Sequence, residues 1–210
     1  MSDVGSRIDA VEVGGRRIRY AETGRGPVLV HFAGGRGSAL TPAHGLLARR
    51  FRVLAFEAPA PDGDASEALV TGLAAAMQRL GVESFDLIGS SASAAMAVAL
   101  AARAHDRVRA LVLESPPALD ATRPDPALAR GLGQLATPTL VLFGTEDTTV
   151  PADTGRRYKA LVPGSHLVFV YAASHAIAAD RPEAFVEVVS DFLERHEAFV
   201  VSRTRTVILP

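Results

Sequence analysis

The chain has no cysteine and no tryptophan, and Lys159 is the one lysine among 22 basic residues. Without cysteine there is no disulfide scaffold, no thiolate metal site and no cysteine nucleophile. An excess of charge is missing too. The 22 basic side chains face 23 acidic ones, leaving a formal net charge of −1, which offers no global basic field for nucleic acid. Six histidines are scattered along the chain without metal-ligand spacing. No long hydrophobic run exists: the stretch Ala94 to Ala102 is far short of the ~20 residues that span a bilayer. Met1 to Arg7 is polar, unlike the apolar core of a signal peptide. The expectation is a soluble, cytoplasmic protein that binds neither nucleic acid nor membrane, and no metal.

What is present is enough for a core. Of 210 residues, 48% are apolar and 21% charged, ordinary proportions for one globular domain at ~100–200 residues per domain. The other 21 basic residues are arginines. They are dispersed in an alanine-rich chain, which reads as compositional bias rather than as an anion site built from bidentate forks.

Short apolar runs alternate with longer helix-like segments. Ile8–Val13 and Arg16–Glu22, separated by Gly14-Gly15, predict a hairpin with a glycine turn. Val28–Phe32, Val53–Glu57, Phe85–Ile88, Ala110–Glu114, Thr139–Phe143 and Leu167–Tyr171 are nearly continuous apolar runs, the pattern of parallel strands buried on both faces. Between them lie helical segments at Ala65–Leu80, Ser93–Ala104, Gly155–Leu161 and Pro182–His196. In the last, Phe185, Val188, Val189, Phe192 and Leu193 form an amphipathic face. Ala94–Ala102 has no polar face and is expected in the middle of the structure. The alternation predicts an α/β fold, a mostly parallel central sheet flanked by helices with an N-terminal antiparallel hairpin.

Active groups in such sheets gather at the carboxyl ends of the strands. After Phe85–Ile88 comes Gly89-Ser90-Ser91-Ala92-Ser93, then the all-small helix. A serine lifted on a strand-to-helix turn needs small neighbours two residues to either side, and Gly89 and Ser93 flank Ser91 in that way. A plain helix cap would also use serine here.

Three segments together make the chain resemble the α/β-hydrolases. Gly89-Ser90-Ser91-Ala92-Ser93 aligns with the family's Gly-x-Ser-x-Gly, with Ser93 in place of the second glycine. Gly144-Thr145-Glu146-Asp147, followed by Pro151, matches its acid segment. Ser174-His175 matches its histidine, with Ser174 where glycine is usual. The order Ser, Asp, His is the one this fold uses. The resemblance implies Ser91 as nucleophile, His175 as base and Asp147 as the acid that orients it. Glu114, at the end of the strand after the nucleophile helix, is the second candidate for the acid.

The resemblance further implies an oxyanion hole from the backbone N–H groups of Ala92 and Ala33, with Phe32 standing where the family has glycine. The loop Gly34-Gly35-Arg36-Gly37 lacks the lysine and spacing of a phosphate-binding loop. His31 is expected to support that loop, and His44, His105, His166 and His196 to sit at surfaces or helix ends.

Between Glu114 and Thr139 lies only Ser115 to Pro138, with one short helical stretch at Pro126–Leu135, so the cap is expected to be reduced and the site open. Specificity would then fall to loops such as Ala58–Ala65. Residues 1–198 read as a single hydrolase core. Residues 199–210 read as an extended tail suited to strand addition or a homodimer contact.

The expected function is cofactor-free hydrolysis of a small-molecule carboxylic ester through an acyl-enzyme on Ser91. Thioester or carbon–carbon bond (β-diketone-type) hydrolysis is the alternative within enzymes. A non-catalytic ligand-binding or interaction protein is the alternative outside them.

Overall fold

The computed structural model describes residues 6–13, 15–33, 40–57, 67–119, 126–162 and 164–199. Eight strands form one sheet: β1 (Arg7–Val13), β2 (Arg16–Thr23), β3 (Val28–Ala33), β4 (Arg52–Glu57), β5 (Phe85–Ser90), β6 (Val108–Glu114), β7 (Thr139–Gly144) and β8 (His166–Val170). Their order is β1-β2-β4-β3-β5-β6-β7-β8. The β1/β2 and β2/β4 pairings are antiparallel, and every pairing from β4 through β8 is parallel. The predicted hairpin is there, closed at Val13↔Arg16 with Gly15 at φ +77°, backbone that glycine adopts without strain.

The helices are α1 (Pro42–Leu47), α2 (Glu67–Arg79), α3 (Ala94–Arg103), α4 (Pro126–Gly133), α5 (Asp153–Leu161), α6 (Ile177–Asp180) and α7 (Pro182–Arg195). Sequence periodicity finds α2, α3, α4, α5 and α7. It misses α1 and α6, which at 6 and 4 residues are too short to show a repeat. The last strand lies one residue earlier than expected, leaving Tyr171 outside it and half-exposed.

Strand residues alternate between two cores, because successive side chains leave opposite faces of a sheet. Val30, Phe32, Leu87, Leu111, Leu113 and Val141 pack with α2, α3 and Tyr158 of α5 on one face. Leu29, Ile88, Val112, Leu140 and Leu142 pack with α1 and α7 on the other. The all-small α3 is buried as expected, with Ala94, Ala97, Leu100 and Ala101 inaccessible. Helix α4 lies close on α3, a Cβ added at Gly131 falling 2.7 Å from Val98 Cγ1.

Arginines serve the framework. Arg107 donates to the carbonyls of Ala74, Val82 and Glu83, and Arg109 grips buried Asp86 through two nitrogens. At the far end of the chain, Phe199 is buried edge-on against Phe192 and His166. The first residue of the expected tail is thus part of the core. The tail from 200 onward, Gly34-Gly35-Arg36-Gly37 and Ala58–Ala65 lie outside the described residues.

Candidate active site

Strand β5 delivers Ser90 at its end, and the chain then turns sharply. Ser91 sits at φ +52°, in the left-handed region that L-residues with side chains rarely occupy. Such strain persists only where surrounding structure enforces it. The enforcement is visible at Gly89. A Cβ there would lie 2.5 Å from Ala97 Cβ and 2.9 Å from Ala94 Cα, so only glycine lets α3 return this closely against β5. A single 3₁₀ turn, Ser91–Ser93, joins the strand to α3.

The turn aims Ser91 at His175. Ser91 Oγ is 2.9 Å from His175 Nε2, and His175 Nδ1 is 2.9 Å from Asp147 Oδ2. Asp147 is 2% exposed against 26% for His175. Its other oxygen accepts the backbone N–H groups of Thr149 (2.8 Å) and Val150 (3.0 Å). The carboxylate is thus fixed by two amides while its second oxygen faces the imidazole. All three residues expected from sequence stand in one hydrogen-bonded line.

The acid and histidine loops are laced together. Glu146 N–H donates to the Ala173 carbonyl (2.9 Å) and Ala172 N–H to Thr145 Oγ1 (3.0 Å). A Cβ at Gly144 would meet the Ala173 and Ser174 carbonyl oxygens at 2.1 and 2.2 Å, which is why glycine precedes the acid turn. Ser174, in a position usually held by glycine, donates through its hydroxyl to Asp180 Oδ2 (2.5 Å), and its backbone N–H donates to the same oxygen (2.9 Å). These bonds hold the Asp180 carboxyl below its ordinary range and close the loop that carries His175.

The other two departures from the glycine pattern are also accommodated. Ser93 is buried and donates to the Ala33 carbonyl at 3.2 Å, tying the end of β3 to the Ser91 turn. The bond joins Ala33, one of the two expected oxyanion donors, to the residue after Ala92, the other. Ala92 is in the first helical turn, where N–H groups have no intrahelical acceptor. Phe32 needs no glycine-like backbone: it is an ordinary strand residue paired with Phe56 and Gly89, fully buried and edge-on to the Phe56 ring.

Glu114 is placed elsewhere. One of its oxygens accepts from Ser90 Oγ and the other from the Ala178 N–H (2.7 Å). His44, expected at a surface or helix end, stands in the first turn of α1 but is buried, at 2% exposure, with Nε2 2.6 Å from His31 Nδ1. The signal for its helix was Thr41-Pro42, a capping residue followed by proline at the first helical position.

No family model matches the chain. The uncharacterized hydrolase YugF of Bacillus subtilis is 33% identical over 63 residues, which are 30% of this chain and 23% of that protein. The matched stretch therefore spans about a quarter of that relative's length. Solved structures cover far more. The carboxylesterase CesB (YbfK) of Bacillus subtilis superposes with a TM-score of 0.73 over 90% of this chain and 92% of its own, at 18% identity. A serine hydrolase involved in carbazole degradation (CarC) gives 0.75 over 90% and 99%, at 19% identity.

The chain has the α/β-hydrolase fold. Within that fold the Ser91 turn, the Asp147 turn and the His175 loop follow β5, β7 and β8, all at the carboxyl edge of the sheet. None of the helices described is long and apolar enough to cross a membrane.

Proposed function

We propose that this α/β-hydrolase-fold protein is a serine hydrolase that cleaves a small, accessible carboxylic ester through an acyl-enzyme on Ser91. The observation that carries this reading is the line Ser91 Oγ–His175 Nε2, His175 Nδ1–Asp147 Oδ2, at 2.9 Å each, on a strained strand-to-helix turn.

In this reading His175 takes the Ser91 proton as Oγ attacks the ester carbonyl, then gives it to the departing alcohol. Asp147 holds Nδ1 protonated and stabilises the imidazolium that forms. The N–H groups of Ala92 and Ala33 receive the negative charge that develops on the carbonyl oxygen. Water, deprotonated by the same histidine, then releases the acid. The short segment between β6 and β7 supports an open site, and the β-branched sequence of residues 200–210 supports a homodimer contact.

The test is turnover of p-nitrophenyl acetate, a thiol ester and a vinylogous diketone side by side. The expected result is ester cleavage that fails in Ser91→Ala. Preferential cleavage of either other substrate would reassign the reaction, and wild-type turnover in Ser91→Ala would refute the mechanism.

A further inference from the structure

The parity of the strands places a second polar line on the sheet face opposite α3. His31 shares its strand face with Leu29, Ser90 with Ile88 and Glu114 with Val112, and those three apolar residues pack on the α1/α7 side. Ser90 and Glu114 are direct register partners on β5 and β6. His31 Nε2 is 2.6 Å from Ser90 Oγ, His31 Nδ1 is 2.6 Å from His44 Nε2, and His44 Nδ1 meets the Thr41 N–H at 2.8 Å. Ser90 Oγ donates to Glu114, and Glu114 Oε1 accepts the Ala178 N–H. His31, His44, Ser90 and Glu114 are all buried.

The direction of this chain is fixed at its ends. A backbone N–H can only donate, so His44 Nδ1 accepts from Thr41 and its proton sits on Nε2. His44 Nε2–H then donates to His31 Nδ1, His31 Nε2–H donates to Ser90 Oγ, and the Ser90 hydroxyl donates to Glu114 Oε2. From the opposite end the Ala178 N–H also donates inward. A chain with a fixed donor at each end needs one member that only accepts, and a carboxylate is that member. Glu114 also feels His175 and Asp180 electrostatically, and burial, the largest influence, raises its pKa. Burial likewise keeps both imidazoles neutral, His31 well below the ordinary histidine range and His44 at about 4.

The two anchors of Glu114 bracket the reaction. Ser90 is the residue before Ser91, and Ala178 lies three residues after His175, in α6. We propose that Glu114 is a positioning residue that sets the separation of Ser91 and His175, one carboxylate oxygen holding the strand behind the nucleophile and the other the helix behind the base. This rests on the reading of Ser91 and His175 as nucleophile and base. An amide at position 114 is a poor replacement for the carboxylate: with its oxygen on the Ala178 N–H, its NH₂ faces Ser90 Oγ, and the Ser90 proton loses the acceptor it has in Glu114. Removing the Ser90 hydroxyl relieves that conflict.

The experiment compares the wild type with Glu114→Gln, Ser90→Ala and the double variant. It reads the rate of labelling by a fluorophosphonate probe, kcat and KM for p-nitrophenyl acetate, and thermal melting to confirm folding. Glu114→Gln is expected to slow labelling about ten- to a hundred-fold, the scale of a small misplacement of reacting groups, and to lower kcat while KM stays within about two-fold. Ser90→Ala is expected to label about ten-fold slower than wild type, and the double variant no slower than Glu114→Gln. A Glu114→Gln protein labelling at the wild-type rate, or two effects that simply multiply, would overturn the proposal. If Glu114→Gln does not fold, Ser90→Ala decides: wild-type labelling by that variant overturns it. A wild type that takes no probe removes the Ser91 assignment and this proposal together. A labelled wild type with an undiminished Glu114→Gln removes this proposal alone.

Discussion

Ser90 and Ser91 are consecutive residues with the same hydroxyl, each within 3 Å of a histidine nitrogen, and their acids stand in opposite places. Around Ser91 the acid sits on the far side of the imidazole, so the near nitrogen is free to take the serine proton. Around Ser90 the acid touches the serine itself and already accepts its proton, while the His31 nitrogen beside it donates. On the proposed reading, the same three residue types make an activated hydroxyl in one order and a structural crosslink in the other. Position completes the contrast: the His175 line opens toward solvent, whereas the His31 line is sealed between the sheet and α1. A serine, a histidine and a carboxylate in proximity are therefore no signature of catalysis until the sequence of donors is known.

The largest expected effect falls on the acid of the first line. Asp147→Asn keeps the shape but lets an amide face Nδ1, favouring the wrong tautomer, and kcat for p-nitrophenyl acetate is expected to fall about 10³- to 10⁴-fold. A fall no greater than that of Glu114→Gln would erase the distinction between the two acids.

The second line is expected to announce itself in stability against pH. The folded protein holds His44 at about 4, below the ordinary value near 6.5. Between those values the unfolded chain takes up a proton that the folded one refuses, so stability is present above pH ~6.5 and lost as pH falls toward 4. At about 1.4 kcal/mol per unit the loss is ~3 kcal/mol. His31, shifted the same way, adds to it. Glu114 works in the other direction: its raised pKa means the folded state takes up its proton more readily, which offsets part of the loss as pH falls. Urea melts of His44→Gln are expected to show a shallower decline than wild type from pH 6.5 to 4. Superimposable curves would contradict the assignment of His44 to a neutral buried chain.

The smallest effect sharpens the boundary between the lines. Ser93→Gly restores the common glycine and removes the bond to the Ala33 carbonyl, at an expected cost of about 1 kcal/mol in stability and less than about five-fold in kcat. A larger loss of kcat, measured in the same ester assay, would make Ser93 part of the oxyanion geometry rather than a tie beneath it.

Much of this was legible in the chain, for identifiable reasons. Strands buried on both faces must be apolar throughout, so six of them announced themselves, and the glycine-separated hairpin added two. Ser91, Asp147 and His175 were legible because the three segments that carry them resemble the motifs of the α/β-hydrolases, each just after a strand. The second line was not, because it depends on parity and register across three strands and on α1, a helix too short to display periodicity. The burial of His44 in the first turn of α1 was not legible for that reason. Phe32, standing where the family has glycine, is an ordinary strand residue, while the loop from Gly34 lies outside the described residues.

The most direct test of the central contrast is peptide mapping of the folded protein after reaction with a fluorophosphonate. The adduct is expected on Ser91 alone, with Ser90 unmodified on the same peptide. An adduct on Ser90, or none on folded protein, would contradict the account.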